Sequence, residues 1–308
     1  MLHVLAVVDG RPGHGKQTLG IVAALRRRCE VELTSLKVEC DAVSQLKDLV
    51  ALFLPRLSRR WQSIPGADLI LCTGGKTHLT ALTLGRRFAV PVCTCMTPGH
   101  GFRHLFSLCF IPVHDRVPPA ENIISTLGAP VSCVDRGRHE EGKGLICIGG
   151  LNPWLEWDEA QLLSQLGEVL KGEGHWVVTN SPRTPESTSE AVVRLCGKYG
   201  VQFFYWKETE QGWIERQYDL ASEVWLTSDS ISMLYEALSS GCRVNIFSIR
   251  WKDPQGKHAY NEKMLKESGY VRTFADWCKG EPHSADLAVL NEAQRCADII
   301  LEKWWPEN

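Results

Sequence analysis

The chain has 308 residues, more than a single hydrophobic core usually organises, so two domains are expected. Its 44% hydrophobic and 23% charged content is that of an ordinary folded protein. The net charge of −2 excludes a global basic field for nucleic acid, and no apolar run nears the ~18 residues of a spanning helix. Leu2 to Val8 lacks the basic leader and small-residue cleavage site of a signal peptide. A cytoplasmic location is therefore expected, with the twelve cysteines as reduced, mostly buried thiols.

Short apolar runs alternate with helical patterns from the start. LHVLAVVDG reads as a buried strand, its glycine turn leading to a helix from about Lys16 to Arg28. VELTSLKV is the next strand. DLILCTGG follows, then a helix from about Thr77 to Phe88. VPVCTCM, LCFIPVHD and NIISTLGAP continue the series. The pattern restarts at GLICIGG, residues 144 to 150, with a helix from about Asp158 to Lys171. HWVVTNSPRTPE, VQFFYW, EVWLTSDS with its helix SISMLYEALSSG, and RVNIFSI complete it. Strands of this length separated by helices predict parallel α/β sheets. The best architecture is two Rossmann-like domains facing across a cleft, residues 1–140 and 141–308. The charged, glycine-rich stretch from Asp135 to Gly144 is the linker, and a last helix from Ala285 to Trp304 can cross back.

The first glycine turn, VVDGRPGHGKQT, nearly matches a phosphate loop: Gly10, four residues, then Gly15-Lys16. Gln17 stands where that loop needs a magnesium-binding hydroxyl, and Thr18 is rotated roughly 100° away on a helix. A kinase or ATPase reading is therefore poor, but a glycine turn that opens a helix still suits an anion or a close ligand. The alternative is a tight turn with no ligand.

The second feature is the run from Ser228 to Gly241. Ser228 or Asp229 can cap the helix, Ile231, Leu234 and Leu238 form its buried stripe, and Gly241 ends it. Hydroxyls at a helix N-terminus suit a diphosphate, and Glu236 lies within reach of a ribose diol. The competing reading is a capped helix with a solvated glutamate.

The run from Ser230 through Glu236 to Gly241 resembles the donor signature of GT-B glycosyltransferases. A wider resemblance covers nearly the whole chain. It rests on Asp9-Gly10 with Gly13 and Gln17, Gly74-Gly75-Lys76-Thr77, Pro112-x-His114-Asp115-Arg116, and Thr126-Leu127-Gly128-Ala129. Gly149-Gly150, Ser181-Pro182-Arg183-Thr184-Pro185 and Thr227-x-Asp229-Ser230 continue it. These motifs, in this order, resemble the "elongated mitochondria" fission family of plants, whose bacterial members are regarded as candidate glycosyltransferases.

The resemblance implies a donor site of Gly149, Gly150, Thr179, Ser181, Arg183, Thr184, Asp229, Ser230, Met233 and Glu236. It implies an acceptor side lined by Gly10, Gly13, Gln17, Gly75, Lys76, Thr77, His114, Asp115 and Arg116. The donor would be a UDP-, ADP- or GDP-linked sugar, with no permanently bound cofactor and no metal. The acceptor would be a hydroxyl of a surface glycolipid or oligosaccharide. Asp9 is the first candidate base and His14 the second, while Arg183, Ser230 and Lys76 would steady the leaving diphosphate. The family also implies an alternative, a non-catalytic adaptor that recruits a membrane-remodelling partner.

Two segments carry further expectations. His114 and Asp115 follow a strand, and adjacent residues on an extended chain point opposite ways, so they would line a cleft rather than pair. Residues 49–61, LVALFLPRLSRRW, mix Leu, Phe and Trp with Arg56, Arg59 and Arg60. Such a helix suits peripheral contact with an anionic membrane, against the competing reading of a core helix with a solvated basic edge.

Overall fold

The structure is a computed structural model that describes residues 1–38, 42–53, 63–99, 101–172, 174–284 and 287–307. The chain divides into two compact units, Met1–Ser132 with Asn291–Asn308, and Cys133–Leu290.

The first unit is a parallel six-stranded sheet. Its elements in chain order are β1 (Leu2–Val8), α1 (Pro12–Arg26), β2 (Val31–Lys37), α2 (Ala42–Phe53), β3 (Leu69–Thr73), α3 (His78–Phe88), β4 (Val92–Cys95), β5 (Leu108–Pro112) and β6 (Ile123–Thr126). The strand order is β2-β1-β3-β4-β5-β6. The strands read as unbroken apolar runs because both sheet faces are covered. Val4, Leu69, Leu71, Cys93 and Phe110 pack on one face, and Leu5, Val7, Ile70, Cys72 and Cys109 on the other. This is the period-two alternation of side chains along a strand.

Two local features differ from the expectation. The first helix begins at Pro12, not Lys16. Proline is pre-set for the first helical position and has no N–H to leave unpaired there. Residues 113–115 close into a 3₁₀ turn rather than extending β5, so the argument from extended geometry for His114 and Asp115 does not apply. The 49–61 segment is helical as far as Phe53, and its residues 54–61 lie outside the described residues.

The second unit is a second parallel sheet. It runs β7 (Glu140–Cys147), β8 (Leu155–Glu156), α4 (Glu159–Lys171), β9 (His175–Thr179), α5 (Glu186–Tyr199), β10 (Gln202–Phe204), α6 (Trp213–Leu220), β11 (Ala221–Thr227), α7 (Ile231–Ser239), β12 (Arg243–Phe247), β13 (Arg250–Trp251), α8 (Lys257–Glu267), β14 (Val271–Thr273) and α9 (Phe274–Cys278). The main sheet has the order β10-β9-β7-β11-β12-β14, and β8 pairs antiparallel with β13. Without the two-residue strands this is the doubly wound order 3-2-1-4-5-6. Trp225 is fully buried at its centre, 5.1 Å from Phe247 and 5.5 Å from Trp277 by ring centroids. Glu140 to Gly144, expected as linker, is the first half of β7.

The last helix, α10 (Glu292–Trp304), belongs to the first unit. It starts at Glu292, behind the N-cap Asn291, rather than at Ala285. Its buried Ala293, Cys296, Ala297, Ile300 and Leu301 complete the core that Ile21 and Leu25 of α1 begin. Arg27 donates to Gln294 at 3.0 Å along the same contact.

The eleven described cysteines are free thiols, nine of them buried. Burial pushes Cys72 up to about 11 and Cys95, Cys109 and Cys147 up to about 12, so they stay protonated. Among the described residues no helix is long and apolar enough to cross a membrane.

Candidate functional site

In open parallel sheets, ligands bind beyond the carboxyl ends of the strands, where the strand order reverses. In the first unit that point lies between β1 and β3. Asp9 directly follows β1, and the helix start at Pro12 brings His14 back over it. His14 Nδ1 lies 2.9 Å from Asp9 Oδ2, and Asp9 Oδ1 accepts from the Arg11 amide at 3.0 Å. The Asp9 side chain is 1% exposed and that of His14 18%. Burial pushes the Asp9 carboxyl up. The Arg11 amide, the His14 hydrogen bond and charge, and the Arg11 guanidinium outweigh it and hold the group below the ordinary 3.8.

The His14 ring sits against Gly74, just past β3. Gly74 has φ +92°, and a Cβ there would overlap the imidazole, so only glycine fits. Gly10, Gly75 and Lys76 are exposed beside this pair. Gly13 lies in the first turn of α1. Gln17, further along that helix, has a buried Oε1 with no hydrogen-bond partner among the described residues. The Thr77 hydroxyl is spent on the turn, donating to the Gly74 carbonyl at 2.7 Å. His114, Asp115 and Arg116 sit past β5, three strands and roughly 14 Å from β1. His114 is buried, Asp115 accepts from Thr97 at 2.7 Å, and Arg116 is exposed. The sequence reading missed His78, which is buried against Phe106 and 3.3 Å from Thr94 Oγ1. Burial, then the charge of His14, lowers its pKa to about 4.

In the second unit the order reverses between β7 and β11. Asp229, just past β11, has a fully buried side chain. Its Oδ1 accepts from Thr227 at 2.6 Å, and its Oδ2 accepts from the Gly150 amide at 3.2 Å and from Arg183 at 2.6 Å. Burial raises its pKa, against the pull of Thr227 and Arg183. The same arrangement packs closely against the glycine pair. A Cβ on Gly149 would overlap the Asp229 carboxylate, and one on Gly150 the main chain at Arg183 and Thr184. The close approach these glycines permit is by the chain itself.

The Thr184 hydroxyl pins its turn to the end of β7, donating to the Ile148 and Gly149 carbonyls at 3.0 and 2.5 Å. Ser181 Oγ accepts from the Arg183 amide at 3.3 Å, and Thr179 donates to the Phe204 carbonyl at 2.9 Å. These hydroxyls shape the loop, while the Arg183 side chain, 43% exposed, still reaches solvent. Ser230, not Asp229, caps α7, accepting from the Met233 amide at 3.4 Å. Glu236 is 3% exposed, so it is not the solvated residue of the competing reading.

Beside these groups lies a recess of about 220 Å³ that motif reading missed. Trp154, Trp251, Lys257 and His258 line it, with His258 stacked on Trp251 at 5.6 Å. The β8–β13 pair brings its two loops together, and Trp251 Nε1 donates to Glu262 at 2.9 Å. A larger cavity of about 710 Å³, around Trp176 and Tyr199, opens at the opposite, amino edge of the sheet, away from this convergence of loops. Among the described residues no group of three or more His, Cys, Asp or Glu side chains is placed to hold a metal ion.

Known structures share this double fold. The UDP-GlcNAc 2-epimerase of Methanocaldococcus jannaschii is similar with a TM-score of 0.60 at 11% identity, over 98% of this chain and 100% of that one. MurG of Acinetobacter baumannii has a TM-score of 0.53 at 13% identity, over 98% and 91%. S. aureus MnaA, in a co-structure with UDP, has 0.53 at 12%, over 98% and 88%. The fold is therefore α/β of the GT-B, glycosyltransferase-like class. Within it the chain belongs to the mitochondrial fission ELM1 family, whose model matches residues 12–304. No curated protein sequence matches it.

Proposed function

We propose that this protein is a glycosyltransferase, moving a sugar from a nucleotide-sugar donor to a hydroxyl of a glycolipid or oligosaccharide acceptor. The observation that carries the reading is the Asp9–His14 pair at the carboxyl edge of the first sheet. Both Asp9 oxygens are engaged and its side chain is buried, so Asp9 orients and His14 acts as the base. With Nδ1–H donated to Asp9, Nε2 is left with the lone pair that takes the acceptor proton. The acceptor oxygen then bonds to the anomeric carbon as the bond to the diphosphate oxygen breaks. Asp9 stabilises the imidazolium formed. The leaving diphosphate gains from Arg183 and from the N–H groups that start α7 behind Ser230.

UDP is the first nucleotide to test, since it is the one held by S. aureus MnaA. ADP- and GDP-sugars are the others. A thermal-shift panel of the three diphosphates and their sugars, with and without magnesium, tests the reading. Stabilisation that Arg183→Ala weakens is expected, about 2.7 kcal/mol at a ligand concentration of 100 Kd. No shift with any member would sink it.

One observation favours the second reading, a non-catalytic adaptor. The chain's own Asp229 and main chain fill the approach to Gly149 and Gly150. That reading expects no nucleotide affinity at all. A kinase or ATPase loop is disfavoured, because α1 starts at Pro12 and winds Gly13 to Lys16 into a helix instead of a phosphate cradle.

A further inference from the structure

Helix α2 is apolar on two opposite sides. Its inner side is fixed to α3. Ala51 and Leu52 are 3% and 0% exposed, and Asp48 is 3% exposed. Thr80 donates to the Asp48 carboxylate at 2.5 Å, Thr83 to the Asp48 carbonyl at 2.9 Å, and Arg86 to the Leu52 carbonyl at 2.6 Å. These bonds leave one orientation for the helix.

The outer side then carries Val43, Leu46, Val50 and Phe53, which are 61%, 61%, 49% and 64% exposed. Their spacing of three, four and three residues aligns them on one stripe. They are four of the thirteen large hydrophobics exposed among the described residues. Single exposed apolar residues are ordinary, but a contiguous stripe on a clamped helix marks an interaction surface.

Among the described residues of α2 and the last turn of α3, the exposed charges are basic. Asp48, the only acid of α2, is turned inward. Lys47 is exposed on the stripe's flank, the Arg86 guanidinium lies 5.7 Å from the Phe53 ring centroid, and Arg87 is exposed in the same last turn of α3. An apolar ridge whose described border is cationic matches the interface of an anionic lipid bilayer. Apolar side chains enter the acyl boundary there, and cations stay at the headgroups.

The geometry points to α2 as a peripheral membrane-docking helix, with Val43, Leu46, Val50 and Phe53 as its inserting edge and Lys47, Arg86 and Arg87 as its anionic-lipid contacts. This moves the contact from the 49–61 segment to the outer face of α2, and it does not rest on the glycosyltransferase reading.

Vesicle co-sedimentation of the full chain tests it, with phosphatidylcholine alone and with phosphatidylglycerol added. Binding is expected to the mixed vesicles, weaker to phosphatidylcholine, and reduced by salt. The Leu46→Ser/Phe53→Ser variant should bind at least roughly tenfold more weakly, and Lys47→Glu should lower binding to the anionic vesicles alone. Both variants alter exposed side chains, and circular dichroism with an unchanged Tm verifies their fold. Absence of binding at low salt overturns the inference, as does binding that these variants leave intact. It is also overturned if the wild type is a dimer that L46S/F53S splits without vesicle binding, since the stripe would then cover a second copy.

Discussion

The imidazole of His14 is held between two groups: Asp9 Oδ2, 2.9 Å from Nδ1, and the Cα of Gly74, over which the ring lies too closely for any side chain. One contact sets the tautomer, and the other sets the ring's position. Both depend on a helix that begins at Pro12.

Asp9→Asn should separate chemistry from binding. An amide cannot stabilise the imidazolium, so transfer should fall roughly 10²–10⁴-fold while nucleotide affinity is kept. Turnover assays paired with calorimetric titration would show the split. The same variant has a stability signature. The folded-state pKa of Asp9 lies below 3.8, so its charge stabilises the fold above that value and the benefit is lost as pH falls through the folded pKa. The gap between wild type and Asp9→Asn in urea unfolding should therefore be open at neutral pH and close in acid.

Gly74→Ala combines a positive φ with overlap on His14. A cost of about 1–3 kcal/mol is expected. Adding His14→Ala should recover the overlap and leave the φ strain. A double-mutant cycle on Tm or urea midpoints that shows no coupling would refute the contact.

Arg183→Ala leaves the buried Asp229 carboxylate without its cation. The expected loss at neutral pH is about 1–3 kcal/mol, less than the ~3–5 of a fully buried pair because Arg183 is half exposed. Asp229 already has a raised pKa, so ionising it costs stability as pH rises above 3.8 towards the folded value. The penalty should accordingly vanish once Asp229 is protonated in both states, which unfolding curves at neutral and acid pH would reveal.

His78 supplies an acid sensitivity. Its folded pKa is about 4 against 6.5 when unfolded, so the unfolded chain takes up the proton first. Stability should decline as pH falls from 6.5 to about 4, by about 3 kcal/mol from this group. His283, also lowered to about 4, adds to the same window. His78→Phe should flatten part of the profile, and an unchanged slope would count against burial of a neutral His78.

The α/β class and the apolar core of the strands were legible in the chain itself, because buried parallel strands need unbroken apolar runs and their turns need glycine, whereas the charged, glycine-rich start of β7 at Glu140 was not. The motif order also carried the family. What lies around each motif was not legible there. Asp9 and His14 are five residues apart, and only the early helix start makes them partners. Gly149 and Gly150 were named as donor-site residues, but that Asp229 and the Arg183 main chain pack against them depends on two distant loops meeting at one sheet edge. Glu236 has the spacing of a ligand-binding carboxylate, yet packing buries it. The apolar residues of α2 follow a helical repeat on two sides, and only the bonds to Asp48 and Leu52 decide which side faces out. Periodicity and backbone requirements are local and survive in one dimension. Burial, pairing and charge environment are sums over neighbours far apart in the chain, and they exist only once it has folded.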